Sequence, residues 1–560
     1  MDEKIEKVLA LAGNNNRYQY FTLVIMVFLW INCNIIAVIL PYIERAPLVN
    51  YTKNGTNYTR EILTSELCTD LGDTPYEIVE EFDYSWPSEF HMECDKCDKV
   101  KIGLIGSFAF IGNTAGGIVF SLITKFLSHK NILIISSFGY CIAIFLCTLV
   151  KSKTYFQSIL ICEVFIGLFG NCLCYSSIVV AQEIVAGEKR SMFSSIINVG
   201  YSLCGILYSF AFYFAQKWRV VFYILIISSL LSMLLIWIFI YDSPRGYINN
   251  RDYKKTMKIL EGIAYFNGKL EDFRESIKEE EFQDFIKELK GEKSIEIEET
   301  KKNEEEIEKN TENNKMEKTE EKESENIENI EDGINEGKPS DIRPLLIIPK
   351  NKFKIHKITF FSLFKYPSIR YKFILLNFLW TGTRLSFNGI AISSKSFPGN
   401  FYVNIIISYI VETIAYVVSG YFIDIKQLGR RGFLWILYAL SIISLILLLF
   451  DFSTSPTLTL NFIARFAASG INVIYYTYTI ELYPTPVRSI AFGVNATFAN
   501  AGSILAPMLL EFLPKWLFLL ILASISFLNS FFIMFLPETV GKPMIETIDE
   551  LEKEEKEETE

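Results

Sequence analysis

The sequence has few of the residues on which catalysis and metal binding usually depend. Only three of its 560 residues are histidines, His91, His129 and His356, and none of them lies inside a long apolar segment. Those segments contain no Ser, His and Asp arrangement for nucleophilic catalysis and no cluster with metal-ligand spacing. We therefore predict that the protein is not an enzyme and that it binds no metal ion or other cofactor.

Basic residues nowhere alternate with aromatic ones to form a patch suited to nucleic acid, so nucleic acid is not an expected partner. The net charge of −10 is instead concentrated in two acidic tracts, 275–332 and 546–560. The first tract has no aromatic residue after Phe285, and it cannot bury enough apolar surface to offset the entropy of ordering it. We expect a disordered or loosely helical tract there, which serves either as a solvated spacer or as a regulatory, partner-binding segment.

Cysteine is absent after Cys204. Cys68, Cys94 and Cys97 lie in a polar loop, so this loop is the candidate region for a disulfide. Because three is an odd number, one of these thiols is left over or pairs elsewhere. The other seven cysteines fall in apolar segments, where cysteine usually acts as a small hydrophobic residue. They are Cys33, Cys141, Cys147, Cys162, Cys172, Cys174 and Cys204.

Long apolar segments, by contrast, are abundant. Half of the residues are hydrophobic although 21% are charged, so the two kinds must be segregated along the chain. A hydrocarbon core about 30 Å thick needs ~20 apolar residues in a helix to cross it. Twelve segments, here called spans 1 to 12, reach that length within a few residues at each end: 20–41, 102–124, 131–150, 156–180, 193–216, 219–241, 371–393, 402–424, 432–450, 457–480, 490–512 and 515–536.

The spans are grouped six and six, which predicts an all-α integral membrane protein with two pseudo-symmetric six-helix halves. Repeated halves are the usual construction of secondary transporters. Spans 5 and 7 carry many polar side chains, which suits helices that face a wet cavity. The predicted parts are the N-terminus 1–19, the first half 20–241 with its loop 42–100, the linker 242–370, the second half 371–536 and the acidic tail 537–560.

Orientation follows from the loops. Lys and Arg are more numerous in the short loops on the side of both termini, which predicts that this side is cytoplasmic. Loop 42–100 would then be extracellular, and it contains three closely spaced glycosylation sequons at Asn50, Asn54 and Asn57. We predict a multi-pass glycoprotein of the plasma membrane with both termini in the cytoplasm.

Two motifs at the ends of spans are specific. Span 10 ends in the run E-L-Y-P-T-P-V-R from Glu481 to Arg488, and span 12 is followed by L-P-E-T-V-G-K-P from Leu536 to Pro543. Weaker motifs stand at other span ends: Glu183-Ile184-Val185 with Lys189-Arg190, Asp242-Ser243-Pro244-Arg245, Gly399-Asn400-Phe401-Tyr402, and Asp424 with Gly429-Arg430-Arg431. With these motifs the chain resembles the organic cation, organic anion and carnitine transporters of the major facilitator superfamily, over nearly its whole length except 275–332 and the tail.

The resemblance implies that acid and base pairs at the cytoplasmic ends of the helices hold an inner gate shut, because a carboxylate near the membrane edge is costly unless it is paired. The alternative is that the basic residues only obey the positive-inside rule. The residues interpreted as gate residues are Glu183, Arg190, Asp242, Arg245, Asp424, Arg430, Arg431, Glu481, Arg488 and Glu538.

The first half departs from the family pattern. Residues 124–130, between spans 2 and 3, lack the Asp, Gly and paired Arg that link spans 8 and 9, and the chain has Glu163 where the family favours an Arg in span 4. These departures leave a receptor or scaffold that does not transport as an alternative function.

Four ionisable residues lie well inside spans and are substrate-site candidates: Glu163, Arg384, Glu412 and Arg465. Arg384 could pair with Glu412 or Glu163, or it could attract anions. Trp380 and Phe387 are seven residues apart, so they share a face of span 7 and match aromatic positions of the family, where rings suit flat or quaternary ammonium solutes.

Asn500 occupies the position at which cation carriers of the family have Asp and anion or carnitine carriers have Arg. An amide favours neither charge. The expected function is therefore secondary transport of small organic ions or zwitterions, including organic cations and carnitine-like solutes, by alternating access. A neutral solute such as a sugar is the other alternative.

Overall fold

The computed structural model describes residues 10–13, 16–45, 48–53, 56–61, 76–78, 85–90, 96–124, 126–151, 156–185, 190–242, 244, 247, 252–276, 362–394, 397, 399–423, 425, 427–450 and 452–540. Most of the acidic tract 275–332 and of the tail 537–560 lies outside these ranges, as do Asn54, Cys68, Cys94, Arg245 and Asp424. The side chains of Cys97, Arg190 and Arg488 are also outside the described set.

Each predicted span is helical in the structure. Span 1 consists of α1 (Arg17–Cys33) and α2 (Ile35–Ile43), and a short helix α3 (Trp86–Glu89) precedes span 2. Spans 2 to 6 are α4 (Lys96–Ile123), α5 (His129–Leu149), α6 (Phe156–Glu183), α7 (Arg190–Ala215) and α8 (Trp218–Phe239). Spans 7 to 12 are α12 (Pro367–Ser393), α13 (Phe401–Phe422), α14 (Gly429–Leu447), α15 (Thr454–Leu482), α16 (Thr485–Phe512) and α17 (Lys515–Phe532). Short helices α9 (Tyr253–Phe266), α10 (Leu270–Ser276) and α11 (Ser362–Lys365) lie between the halves, and a 3₁₀ turn, Ile533–Phe535, ends span 12.

The packing of the second half repeats that of the first. Span 4 packs against spans 1, 2 and 3, and span 10 packs against spans 7, 8 and 9. The contacts of span 1 with span 5 and of span 3 with span 6 recur between spans 7 and 11 and between spans 9 and 12. Across the interface between the halves, span 2 contacts span 11 and span 8 contacts span 5. Spans 8 and 5 are the counterparts of spans 2 and 11 in the opposite halves, so this contact is repeated as well. The prediction of an all-α protein with two pseudo-symmetric halves is confirmed.

Spans 7 and 11 differ from the other ten in polarity. Those ten are apolar enough to cross a membrane by length and composition, whereas these two helices are long enough but more polar. They pack against each other along their length and share buried polar contacts, such as Asn388 Nδ2 donating to Ser503 Oγ over 2.8 Å. Their polarity is therefore directed into the bundle, as the sequence predicts for span 7.

Span 1 is interrupted, although the sequence predicts one continuous helix. Asn34 has φ −94° and ψ 5°, and its side chain donates to the carbonyl of Trp30. Such local side-chain hydrogen bonds compete with the backbone ladder and bend or end helices. The neighbouring Asn32 links span 1 to spans 5 and 6 of the first half. Its amide oxygen accepts from Tyr208 and Ser228, and its amide nitrogen donates to Ser232.

The loop after span 1 contains a small sheet that the sequence analysis does not predict. Strands β1 (Leu48–Lys53), β2 (Thr56–Glu61) and β3 (Tyr76–Ile78) pair antiparallel in the order β2-β1-β3. In this register Asn50 faces Thr59, and the Thr52 hydroxyl bonds the Asn57 side chain over 2.7 Å. We call the end of the bundle that carries this sheet the loop end, and the opposite one the terminal end.

At the loop end the two halves are in aromatic contact. Tyr42 of span 1 lies 5.2 Å from Phe401 and 5.8 Å from Tyr402 of span 8, between ring centroids. Tyr213 of span 5 also contacts Tyr402, at 5.3 Å. Slightly deeper, the Tyr409 ring lies directly over Gly205, where a Cβ atom would come within 2.2 Å of the ring. The halves therefore approach closely through spans 5 and 8.

At the terminal end α9 and α10 pack on the first half. The Asn267 side chain donates to the carbonyl of Ala12 and accepts from the backbone N–H of Tyr18. The Tyr18 hydroxyl in turn accepts from the N–H of Tyr241, just after span 6. These bonds join the start of span 1, the end of span 6 and the α9–α10 hairpin into one unit.

We predict that the exposed Asn50 and Asn57 carry glycans, since the sheet displays both side chains. In a eukaryotic host, treatment with an N-glycosidase should increase the electrophoretic mobility of the protein. Asn50→Gln and Asn57→Gln should each remove part of the shift. Absence of any shift in the wild-type protein would show that the loop end is not exposed to the lumen, or that the sequons are unused.

Candidate functional site

The centre of the second half contains a buried ion pair. Glu412 of span 8 accepts from Arg465 Nη2 and from the hydroxyl of Tyr416, one helical turn further along span 8. Arg465 also donates through Nη1 to the carbonyl of Phe387, over 2.8 Å. The side chains of Arg465 and Glu412 are 2% and 0% exposed. This pair neutralises a carboxylate that the sequence predicts as a substrate-site candidate.

Arg384 is not paired with a carboxylate among the described residues. Its Nη2 donates to the Tyr476 hydroxyl of span 10, and its Nε is buried without a hydrogen-bond partner. Of the two pairings that the sequence leaves open, Glu412 is taken by Arg465. Glu163 of span 4 makes no ion pair with Arg384, and its Oε2 has no hydrogen-bond partner among the described residues. Neither acid therefore neutralises this guanidinium.

Aromatic rings surround Arg384. Its Cζ lies 6.0 Å from the Trp380 ring, 5.9 Å from Phe387 and 5.7 Å from Tyr476. These distances fall within the range of cation–π attraction. The two aromatic residues predicted to share a face of span 7 therefore do so, and they face the same guanidinium.

Phe387 is the point at which this site meets the first half. One side of its ring faces Arg465, at 4.3 Å from Cζ, and its centroid lies 6.1 Å from that of Tyr201 on span 5. Tyr201, Tyr476 and Arg384 are each only partly buried although they lie among interior helices. They therefore border a space between the two halves.

The remaining cavity candidates lie apart from this cluster or at its edge. Glu163 is 2% exposed, and its Oε2 has no hydrogen-bond partner among the described residues. Asn500 of span 11 is partly exposed. Two hydrogen bonds between spans 7 and 11 stand on either side of it in the sequence: Thr381 Oγ1 donates to the Phe498 carbonyl over 3.1 Å, and Asn388 donates to Ser503 as described above.

Tyrosine is the residue type that the sequence analysis misses at this site. Tyr476 accepts a hydrogen bond from Arg384, Tyr416 donates one to Glu412, and the ring of Tyr201 from the first half lies 6.1 Å from that of Phe387. Two signals were available: Tyr416 is four residues after Glu412, and Tyr476 is eleven after Arg465, so each shares a helix face with a buried charge. In a chain with 29 tyrosines this spacing alone is not distinctive.

A second charged cluster lies at the terminal end of the second half. Arg430 donates through Nε and Nη2 to both carboxylate oxygens of Glu481. Glu538 accepts from the backbone N–H groups of Arg430, Arg431, Thr539 and Val540 at 2.9–3.2 Å. Among the described side chains, the motif residues at the ends of spans 8, 9, 10 and 12 thus bind one another within one half.

Glu538 is an anion at the N-terminus of span 9, where unpaired N–H groups favour negative charge. Partial burial acts to raise the pKa of this carboxyl, but the four backbone N–H groups outweigh it and hold the pKa below its ordinary value. Its stabilising contribution is accordingly present above the ordinary carboxyl pKa and is lost as the pH falls through the lowered pKa.

Gly429 allows this approach. It has φ +69°, and a Cβ atom there would meet Glu538 Oε2 at 2.5 Å. A side chain at this position would be strained by the left-handed backbone and would also push the carboxylate away. The Gly-Arg-Arg sequence is therefore a structural requirement of the cluster.

The gate candidates of the first half have fewer described contacts. Asp242 accepts from the Tyr247 hydroxyl over 3.0 Å. Glu183 is partly exposed, but its Oε2 is buried without a hydrogen-bond partner among the described residues. No group of three or more His, Cys, Asp or Glu in the described ranges could hold a metal ion.

The arrangement of two repeated six-helix halves with charged groups between them agrees with a comparison to known families. The family model described as Major Facilitator Superfamily matches residues 22–398 and 401–553. The chain belongs to the major facilitator superfamily. The relatives of this facilitator and its structural neighbours are transporters, so it is not an enzyme, as the sequence predicts.

Curated relatives confirm the resemblance drawn from the motifs. The human organic cation/carnitine transporter 2 is 22% identical over 521 residues, which is 90% of this chain and 79% of that protein. Organic cation transporter 1 of Caenorhabditis elegans is 30% identical over 210 residues, 36% of this chain and 35% of that protein. This facilitator is thus similar to the organic cation and carnitine carriers at low identity.

Solved structures show the same fold. The inward-open conformation of the xylose transporter XylE from E. coli has a TM-score of 0.59 to this facilitator at 14% identity, and the alignment covers 96% of this chain and 99% of that one. A partially occluded inward-open conformation of XylE gives a TM-score of 0.60. At this identity the likeness concerns the fold alone.

We predict that Glu412→Gln destabilises the protein by about 3–5 kcal/mol, because it leaves Arg465 buried without its counter-charge. The melting temperature of the purified protein should fall. The double variant Glu412→Gln with Arg465→Gln should recover most of the loss. Equal destabilisation by the single and double variants would argue against the ion pair as the main interaction.

We predict that Gly429→Ala also lowers the melting temperature, since a left-handed backbone costs an L-residue about 1–2 kcal/mol and the added methyl displaces Glu538. Gly432→Ala is a matched control three residues away, because a Cβ there meets only Leu428 at 3.7 Å. It should leave stability unchanged. Similar losses for the two variants would show that the Glu538 cap is not the reason for Gly429.

Proposed function

We propose that this facilitator is a secondary transporter of small organic ions or zwitterions, including organic cations and carnitine-like solutes, that works by alternating access. The observation that carries the proposal is the layer of charge and aromatic rings around Arg384 and Phe387, placed where the two halves meet. Ionisable residues inside a membrane bundle are costly and usually mark a solute pathway.

The likeness to the human organic cation/carnitine transporter 2 supports this substrate class over nearly the whole chain. The partly exposed rings of Tyr201, Tyr476 and Phe492 offer flat apolar surfaces to a solute with an organic body, and Trp380 and Phe387 lie behind them. The candidate pathway residues are Trp380, Arg384, Phe387, Glu412, Arg465, Asn500 and Glu163. Within this set we give Glu412 and Arg465 the role of positioning Phe387, because they are almost fully buried.

We also propose that the charged residues at the terminal end contribute to gating by holding the helix ends within each half together. The cluster of Arg430, Glu481 and Glu538 holds the ends of spans 9, 10 and 12 together, so that the second half moves as one body. In the proposed orientation this end is cytoplasmic and the protein lies in the plasma membrane.

The direct test is uptake into proteoliposomes of labelled tetraethylammonium, carnitine and an aryl carboxylate, with D-xylose as the neutral comparison. Saturable uptake of at least one organic ion or zwitterion is expected. Saturable uptake of D-xylose alone would favour a sugar carrier. The absence of saturable uptake for every solute, in well-folded protein, would favour the receptor or scaffold.

We predict that Gly205→Val abolishes uptake while leaving the charged layer intact. The new side chain would collide with the Tyr409 ring and keep spans 5 and 8 apart, so the loop end could not close. Gly420→Val is the matched control on span 8, since a Cβ at Gly420 meets no atom within 4 Å. Initial uptake rates should be near zero for the first variant and near wild type for the second, and full activity of Gly205→Val would rule out closure at this contact.

A further inference from the structure

The charges around the central space do not balance. The described ionisable groups of this layer are Arg384, Arg465 and Glu412, and the acid is bound to Arg465. Arg384 therefore contributes one positive charge without a counter-charge among the described residues. A cation in the interior of a membrane protein is expensive unless an anion or strong acceptors face it.

The hydrogen bonds of Arg384 are also incomplete. For its five N–H donors, which lie in a planar fork, the described residues provide one side-chain acceptor, the Tyr476 hydroxyl. Nε is buried without a hydrogen-bond partner in the part of the chain that the structure describes. The group that best matches a guanidinium fork is a carboxylate, because its two oxygens accept two parallel hydrogen bonds.

Exposure distinguishes Arg384 from the buried pair. Arg465 and Glu412 are almost fully enclosed, whereas Arg384 retains accessible surface next to the partly exposed Tyr201 and Tyr476. A solute between the halves can therefore reach Arg384 but not the two paired charges. The group that a solute meets first is a cation.

The surroundings favour a carboxylate attached to a flat apolar body. Trp380 and Phe387 back the guanidinium but are themselves buried, whereas the Tyr201 and Tyr476 rings keep accessible surface, as does Phe492 of span 11, 5.9 Å from Tyr476. Rings of this kind bury a planar or apolar body. A small inorganic anion would leave them unused.

From these observations we infer that Arg384 is the anchor for a carboxylate of the transported solute, so that the substrate is an organic acid or a zwitterion with an aromatic or similarly flat body. This inference rests on the proposed transport function. It assigns a role to a residue for which the motif comparison supplies no counterpart. It also excludes simple organic cations without an acidic group from this site.

The inference is tested first by the selectivity of the wild-type protein. Hippurate, its neutral amide hippuramide, and the cation benzyltrimethylammonium all carry a phenyl ring but differ in charge, and acetate has a carboxylate without the ring. In proteoliposomes labelled hippurate should be taken up saturably. Hippuramide and benzyltrimethylammonium should compete at least tenfold more weakly because they lack the carboxylate, and a hydrogen bond to a charged group is worth about that much or more. Acetate should also compete at least tenfold more weakly because it lacks the apolar ring.

Variants then locate the effect. Arg384→Gln should raise the half-saturation concentration for hippurate about 10- to 100-fold, and Arg384→Lys should recover part of it because the charge is retained. Arg370→Gln removes an exposed arginine near the start of the same helix and should behave as wild type. Benzyltrimethylammonium uptake should increase in Arg384→Gln because the repelling positive charge is removed, an outcome that a misfolded variant cannot give.

The possible failures are separable. If wild-type protein takes up none of these solutes or those of the first panel, the transport function itself is wrong. If it carries benzyltrimethylammonium as well as hippurate, and Arg384→Gln alters neither, transport stands and the carboxylate site is refuted. If acetate competes as strongly as hippurate, the aromatic part of the inference is wrong.

Discussion

The buried pair of Arg465 and Glu412 is the interaction on which the centre of the molecule depends. Because it satisfies its own charges, it can hold spans 8 and 10 together in a place where water is not available to either group. It also fixes span 7, through the bond from Arg465 to the carbonyl of Phe387. The position of Phe387, and through it the contact with Tyr201 of the other half, follows from this arrangement.

Much of the fold could be predicted from the sequence because membrane spans are set by length and hydrophobicity alone. The two polar spans, 7 and 11, are the hardest to recognise by composition, and they were counted because each still reaches the length of ~20 residues that a span needs. The break at Asn34 and the sheet 48–78 were missed. The first depends on one side-chain hydrogen bond, and the second has short strands whose alternation is weak.

The individual residues of the candidate site could be predicted from the sequence, but the pairing of their charges could not. The sequence shows that Glu412, Arg384 and Arg465 lie inside spans, and spacing shows which face of a helix each occupies. Which arginine meets Glu412 depends on how spans 7, 8 and 10 cross, and no spacing within one helix contains that information. For the same reason Tyr201 of span 5 could not be assigned to this site in advance.

Asn32 has a consequence for how genetic variation in this protein would be read. One amide on span 1 is shared by hydroxyl groups from spans 5 and 6, and the backbone carbonyl of the same residue accepts from Tyr140 of span 3. A substitution there would remove the side-chain contacts that join three helices, spans 1, 5 and 6. In a screen scored only by activity, such a variant would resemble a substrate-contact mutant, although its defect would be one of assembly, and only a measurement of protein abundance would tell the two apart.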